Sequence, residues 1–206
     1  MKLYGHPMST CTRKVLATLA EKGHTAEFVL VDLMKGESKQ PANLARQPFG
    51  QVPTLDDEGF VLYESRAIIR YLDEKLSGPK LTPSEIHEHA RMEQWISVET
   101  SDFTPPAMTI IMNNLFGRMQ GKTPDADAVS KARDRVGAAL DVLDAALATK
   151  DFLAGNQFSL AEIGFLPYIE YLLAAESGDL ITKRAHVAAW WKRSSERPSW
   201  QKAIGK

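Results

Sequence analysis

Cysteine is nearly missing from this 206-residue chain, with Cys11 the only one. One thiol cannot build an internal disulfide framework or a zinc site, so the composition points to a reducing compartment. Long apolar runs are missing too. None approaches the ~20 residues of a membrane span. The opening stretch meets Gly5, His6 and Pro7 before any apolar core of a secretory signal can form. The expected location is the cytoplasm, with no membrane partner. No charge of one sign dominates: 25 Lys and Arg stand against 26 Asp and Glu, a net of −1. That balance argues against nucleic acid as a partner and against an acidic disordered tail. Phosphate-binding glycine loops and dinucleotide fingerprints are absent. His87 and His89 lie two residues apart, on different faces of a helix, so no metal is expected there. No internal repeat or low-complexity segment occurs.

What is present changes character along the chain. Up to residue 76, short strand-like runs mix with helical stretches. Lys2-Leu3-Tyr4 reads as a strand, and Thr12 to Lys22 as a helix with Val15, Leu16, Leu19 and Ala20 at helical spacing. Glu27 to Val31 is the next strand, and so short a crossover implies parallel pairing. Residues 39–47 hold a short helix. Pro53-Thr54-Leu55 and Val61-Leu62-Tyr63 flank Asp56-Asp57-Glu58-Gly59, a hairpin signal. Ser65 to Lys75 closes the half as a helix with Ile68, Tyr71 and Leu72 inward. Ser, Gly and Pro then mark a linker over residues 77–85, and strand signals stop. Thr82 to Glu85 has the form of a capping box, and Pro105-Pro106 should interrupt the helix it opens. Thr123-Pro124 opens another helix, and Ser159 to Glu162 is a second capping box. The pattern predicts an α/β domain over residues 1–76, a linker over 77–85 and an all-helical domain over 86–206.

Three features of the first half suit one task, holding a small anionic thiol peptide. Ser9 lies between a strand and a helix, where backbone N–H groups are unpaired and the helix dipole is positive. A thiolate is stabilised there, and a hydroxyl can donate a hydrogen bond to its sulfur. The same serine also reads as a plain N-cap. Val52-Pro53 enters a strand. A cis bond there would turn the Val52 N–H and C=O toward a cleft, ready for an extended peptide, whereas a trans bond makes it an ordinary strand start. Glu64-Ser65 opens a helix whose free amides would accept a carboxylate while Glu64 binds an ammonium, unless the pair only caps the helix. Lys39 and Gln51 could supply charge and hydrogen bonds to a second carboxylate.

Jointly, KLYGHPMSTCTRKVL, LARQPFGQVPTL and LYESRAIIRYL resemble the N-terminal domain of glutathione transferases, the serine-type phi class most closely. The likeness continues through FLAGNQFSLAE and HVAAWWKRSSERPSWQKAI, so it covers essentially the whole chain. It implies a thioredoxin-like N-terminal domain, an all-α C-terminal domain contributing the electrophile site, and a homodimer with Phe49 as an anchor. It places the catalytic serine at Ser9, with glutathione, the co-substrate, contacted by Ser38, Lys39, Gln51, Val52, Pro53, Glu64 and Ser65, and Val52-Pro53 cis. No metal is implied. Ser38 stands where the family often has His, and Glu162 where many relatives have Asp. A small hydrophobic electrophile would enter a cleft between the domains. Met8, Thr10, Leu33, Met108, Ile111, Met112 and Leu115 are candidates for its apolar wall. The implied activity is attack of the glutathione thiolate on that electrophile, and the same thiolate could reduce a hydroperoxide. Two alternatives stand beside it: a thiol transferase based on Cys11, and a non-catalytic glutathione-binding or ligand-carrier protein on the same fold.

Overall fold

Leu3 sits fully buried in β1 (Lys2–Gly5), the strand around which the first half is built. The computed structural model describes residues 1–206 and divides into two units, Met1–Lys80 with Arg197–Lys206, and Leu81–Glu196.

In the first unit β1 is followed by α1 (Thr10–Glu21) and β2 (Glu27–Leu30), which pairs parallel to β1, as the short crossover requires. A 3-10 turn at Glu37–Lys39 and the one-turn helix α2 (Pro41–Leu44) stand where one short helix over 39–47 was expected. Pro41 cannot continue a preceding helix, because its ring removes a donor, so it starts a new one. β3 (Thr54–Asp57) and β4 (Phe60–Tyr63) form the hairpin. Its two turn residues, Glu58 and Gly59, have φ of 55° and 97°, the left-handed pair that matches strand twist. The sheet order is β2-β1-β3-β4, and α3 (Ser65–Lys75) follows.

Val15, Leu19, Leu55, Ile68, Ile69 and Leu72 fill the core of this unit. The end of α1 is pinned by a buried cation. Lys22 Nζ donates to the Asp73 carboxylate and carbonyl, each at 3.0 Å, and to the Pro79 carbonyl at 2.9 Å. Both side chains of the pair are 0% exposed, so each satisfies a charge the other would leave stranded. The last helix of the chain, α10 (Pro198–Ala203), belongs here too. Arg197, just before it, holds the Glu21 carboxylate with two hydrogen bonds, at 2.6 and 2.7 Å.

The second unit is all helical: α4 (Ile86–Val98), α5 (Thr104–Ile111), α6 (Ala126–Leu147), α7 (Leu160–Ala174), α8 (Asp179–Thr182) and α9 (Ala185–Ser195). α4 begins later than the Thr82 capping box predicts. Leu81 is tied by its carbonyl to the Leu160 N–H at 3.2 Å, and Pro83 disfavours helix before it. The helix starts at Glu85 instead, whose carboxylate caps the Glu88 N–H at 2.9 Å. In the same way Asp125, not Thr123, caps α6 by accepting the Ala128 N–H at 3.0 Å. Pro105 and Pro106 open α5, and a π turn over Glu99–Phe103 absorbs the interruption. A second π turn covers Met112–Gly117.

The Ser159 capping box is present at α7. Phe103, Phe165 and Trp190 pack through the core in tilted and edge-to-face contacts, ring centres 5.0 and 6.4 Å apart. No helix is long and apolar enough to cross a membrane.

Candidate functional site

Strand register alone collects the site. Gly5 pairs with Leu30, Tyr4 with Thr54, and Thr54 with Tyr63. The chain leaving β1, β2 and β4, and the chain entering β3, therefore meet at one end of the sheet. Those four segments carry Ser9, Ser38 with Lys39, Glu64 with Ser65, and Gln51 with Val52.

Ser9 is the N-cap of α1. Its Oγ accepts the Thr12 N–H at 3.2 Å, and its carbonyl accepts the Arg13 N–H at 3.0 Å. With Oγ accepting from the helix, the hydroxyl proton points away from that bond and is available to an acceptor. The turn behind it is held by Thr12, which is fully buried and accepts the His6 N–H at 3.4 Å. Thr12 packs so closely on Gly5 that a Cβ there would lie 2.6 Å from its methyl, so glycine is required. Cys11 is half-buried, within the first turn of α1.

The Val52-Pro53 bond is cis. The Val52 N–H and C=O have no protein partner, although most of the neighbouring backbone is paired. Gln51, just before it, is held from both sides. The buried Gln47 accepts its N–H at 3.3 Å, and the buried Asn43 donates to its carbonyl at 3.3 Å. Asn43 Nδ2 also donates to the Ser38 carbonyl at 2.9 Å. Ser38 is itself buried, whereas Lys39 is exposed and donates to the Phe49 carbonyl at 2.8 Å. The Lys39 stem crosses Gly50, whose φ is 63° and where a Cβ would stand 2.6 Å from Lys39 Cδ.

Glu64 precedes α3 with φ 68° and ψ 109°, a conformation rare for a residue with a side chain. Such backbone outliers concentrate where function needs them, at about 1–3 kcal/mol each. Ser65 is buried at the first position of the helix. α3 is braced on the hairpin through Asp57, which accepts the Lys75 ammonium and the Tyr71 hydroxyl, the latter at 2.5 Å. The bond from Lys75, then that from Tyr71, hold the Asp57 carboxyl below its usual range.

Met8, Leu33 and Met112 are partly exposed, Leu115 and Met108 half-buried and Thr10 nearly buried. Ile111, expected on the apolar wall, is instead 0% exposed within the helical core of its unit. Three-and-four spacing places a residue on a helix face without saying which face is inward. Asn43, Gln47 and the Gly5–Thr12 contact were not visible in the sequence. Their partners are backbone groups brought near by the turn, and no local spacing marks them.

A β-α-β-β-α unit with a cis-proline at β3, followed by an all-helical unit, is the glutathione transferase fold: a thioredoxin-like domain, then a helical one. Comparison with known proteins agrees over the full length. Residues 1–74 match the family model "Glutathione S-transferase, N-terminal domain", and residues 103–198 match "Glutathione S-transferase, C-terminal domain". The chain is 39% identical to glutathione S-transferase F10 of Arabidopsis thaliana over 97% of its length and 94% of the relative's. It is 39% identical to glutathione S-transferase 3 of Zea mays, over 99% and 93%. Among solved structures it resembles glutathione transferase F7 from Populus trichocarpa, with a TM-score of 0.95, 39% identity and coverage of 99% and 97%. It also resembles glutathione S-transferase I from mais in complex with an atrazine–glutathione conjugate, with a TM-score of 0.91, 35% identity and coverage of 99% and 96%. The chain belongs to the glutathione S-transferase family. Its relatives are of the phi class, and it is a glutathione transferase.

Proposed function

We propose that Ser9 holds the sulfur of glutathione as a thiolate for attack on small hydrophobic electrophiles. The observation that carries this is the unpaired Val52 backbone, at the same end of the sheet as Ser9 and the start of α3. An extended peptide can pair with Val52 as a strand would. Its γ-glutamyl carboxylate then meets Ser65 and the first amides of α3, with Glu64 on the ammonium. Lys39 and Gln51 receive the glycine end, beside Ser38. In that pose the cysteine sulfur faces Ser9. The serine hydroxyl donates to it, and the first amides of α1 add positive potential. The thiol proton leaves to solvent, the sulfur forms a bond to the electrophilic carbon, and the leaving group departs with its electron pair. Proximity and a lowered thiol pKa supply the acceleration. Met8 and Leu33, both partly exposed, are the proposed apolar contacts of the second substrate on the first unit.

The glutathione pose is tested at Ser65. Ser65→Ala removes one hydrogen bond to the substrate carboxylate, so KM for glutathione should rise about tenfold with kcat nearly unchanged. Steady-state conjugation of a chloronitrobenzene measures both. An unchanged KM would contradict the pose.

The working form we propose is a homodimer in the reducing cytoplasm that a single cysteine suits. Phe49 is the proposed anchor: it is 63% exposed and meets Tyr63 edge-on at 6.1 Å, which leaves its ring open to a second copy of the chain. Sedimentation at micromolar concentration should show a dimer for the wild type and a monomer for Phe49→Asp. A wild-type monomer would contradict this.

A further inference from the structure

We propose that Asn43 is a positioning residue that holds the two arms of the glutathione cradle in register. This rests on the reading above, that residues 38–39 and 51–52 contact glutathione. The two arms are separated by a turn with little regular structure, and one amide group spans them. Asn43 Nδ2 donates to the Ser38 carbonyl at 2.9 Å and to the Gln51 carbonyl at 3.3 Å. Both protons of the amide are therefore spent on the two arms. Its Oδ1 is buried without a partner. A buried acceptor without a donor is costly, so the side chain stays for its donor half, and the two carbonyls fix which way the amide points. The Asn43 backbone continues the same clamp. Its carbonyl accepts the N–H of Arg46 at 2.9 Å and of Gln47 at 2.8 Å. Gln47 in turn accepts the Gln51 N–H. Gln51 is thus gripped at its N–H by Gln47 and at its carbonyl by Asn43. Freed from Asn43, the Gln51 carbonyl can rotate, and the unpaired Val52 N–H rotates with it because they share one peptide plane. Asn43 itself is 2% exposed and touches no substrate in this account. It acts through Ser38, Gln51 and Val52.

The test uses S-methylglutathione, whose blocked sulfur makes its affinity independent of any part Ser9 has in forming a thiolate. Calorimetric titration of the full chain compares wild type, Asn43→Ala and Asn43→Asp at matched pH between about 5.5 and about 8. Asn43→Ala should weaken binding about tenfold or more, while kcat at saturating glutathione stays within about twofold. In Asn43→Asp a carboxylate would face two carbonyls, so its pKa rises and the loss is greatest at high pH. Below that pKa its O–H donates to one carbonyl again, and affinity relative to wild type should recover. A merely structural role would lower stability without this pH-dependent recovery. Unchanged affinity in Asn43→Ala, or a deficit in Asn43→Asp that is the same at every pH, overturns the proposal. If Asn43→Ala does not fold, the pH profile of Asn43→Asp decides alone. A wild type that binds no S-methylglutathione would overturn the cradle itself, an outcome distinct from loss in the variants only.

Discussion

Ser9→Ala should lower kcat/KM for conjugation up to about 25-fold at neutral pH. The figure is an upper bound: if the complex lowers the thiol pKa by about two units from the ~8.5 of a free thiol and Ser9→Ala loses all of it, the thiolate fraction at pH 7 falls from about three-quarters to about 3%. A second effect must be separated from the first, because Ser9 also caps α1 through the Thr12 N–H. Losing the cap costs about 1 kcal/mol of stability. Ser9→Asp separates the two. Its carboxylate still caps the helix and complements the dipole, but it cannot donate to sulfur and repels a thiolate. Stability should be retained and activity lost. If instead Ser9→Asp keeps activity, the hydroxyl is only a cap and the thiolate is stabilised elsewhere. Kinetics and urea unfolding on the same three proteins decide between these.

Glu162→Ala should be the most destabilising change of the set, by about 4 kcal/mol. Glu162 is fully buried at the start of α7. It accepts the Leu153 N–H at 2.7 Å, the Ser159 N–H at 2.9 Å and the Ser159 hydroxyl at 2.7 Å. Truncation strands these three buried donors, at about 1–3 kcal/mol each. The bond to Leu153 depends on side-chain length. Glu162→Asp should keep the Ser159 half of the box and lose the Leu153 bond, for a cost of about 1–2 kcal/mol. Equal losses in Ala and Asp variants, read from urea midpoints, would contradict this division.

The same group gives stability a pH dependence. Burial, outweighing the three donors, pushes the Glu162 carboxyl above the ordinary glutamate range. The folded state then holds its proton more tightly than the unfolded state does. The contribution is complete below the unfolded value of about 4.3 and is lost as pH rises through the folded pKa. Glu162→Gln, which does not titrate, should lack this slope.

Much of this was legible in the sequence, for identifiable reasons. The strands announce themselves as short runs rich in apolar, β-branched and aromatic residues, and the hairpin by its turn residues Glu58 and Gly59, which local sterics select. The Ser159–Glu162 box is a four-residue signal and needs no tertiary knowledge. The helix starts at Thr82 and Thr123 were misplaced because each is followed within three residues by an acid, Glu85 or Asp125, that makes the cap instead. Which candidate wins depends on where the chain is already tied down, as Leu81 is to Leu160. In the site, Ser9, Val52-Pro53 and Glu64-Ser65 could be found because each sits at an element boundary with a distinctive residue. Asn43 could not, since its value lies in two carbonyls that only the folded turn brings within reach. Ile111 shows the complementary limit: an apolar residue suits a substrate wall and a helical core equally, and only the fold shows that it is buried.

The measurement that bears most directly on the central claim is the ultraviolet absorbance of the thiolate in the glutathione complex across pH, for wild type and Ser9→Ala. The wild-type complex should titrate about two units below free glutathione, and Ser9→Ala should lose most of that shift. Glutathione bound in both proteins with its thiol titrating as it does in water would contradict it.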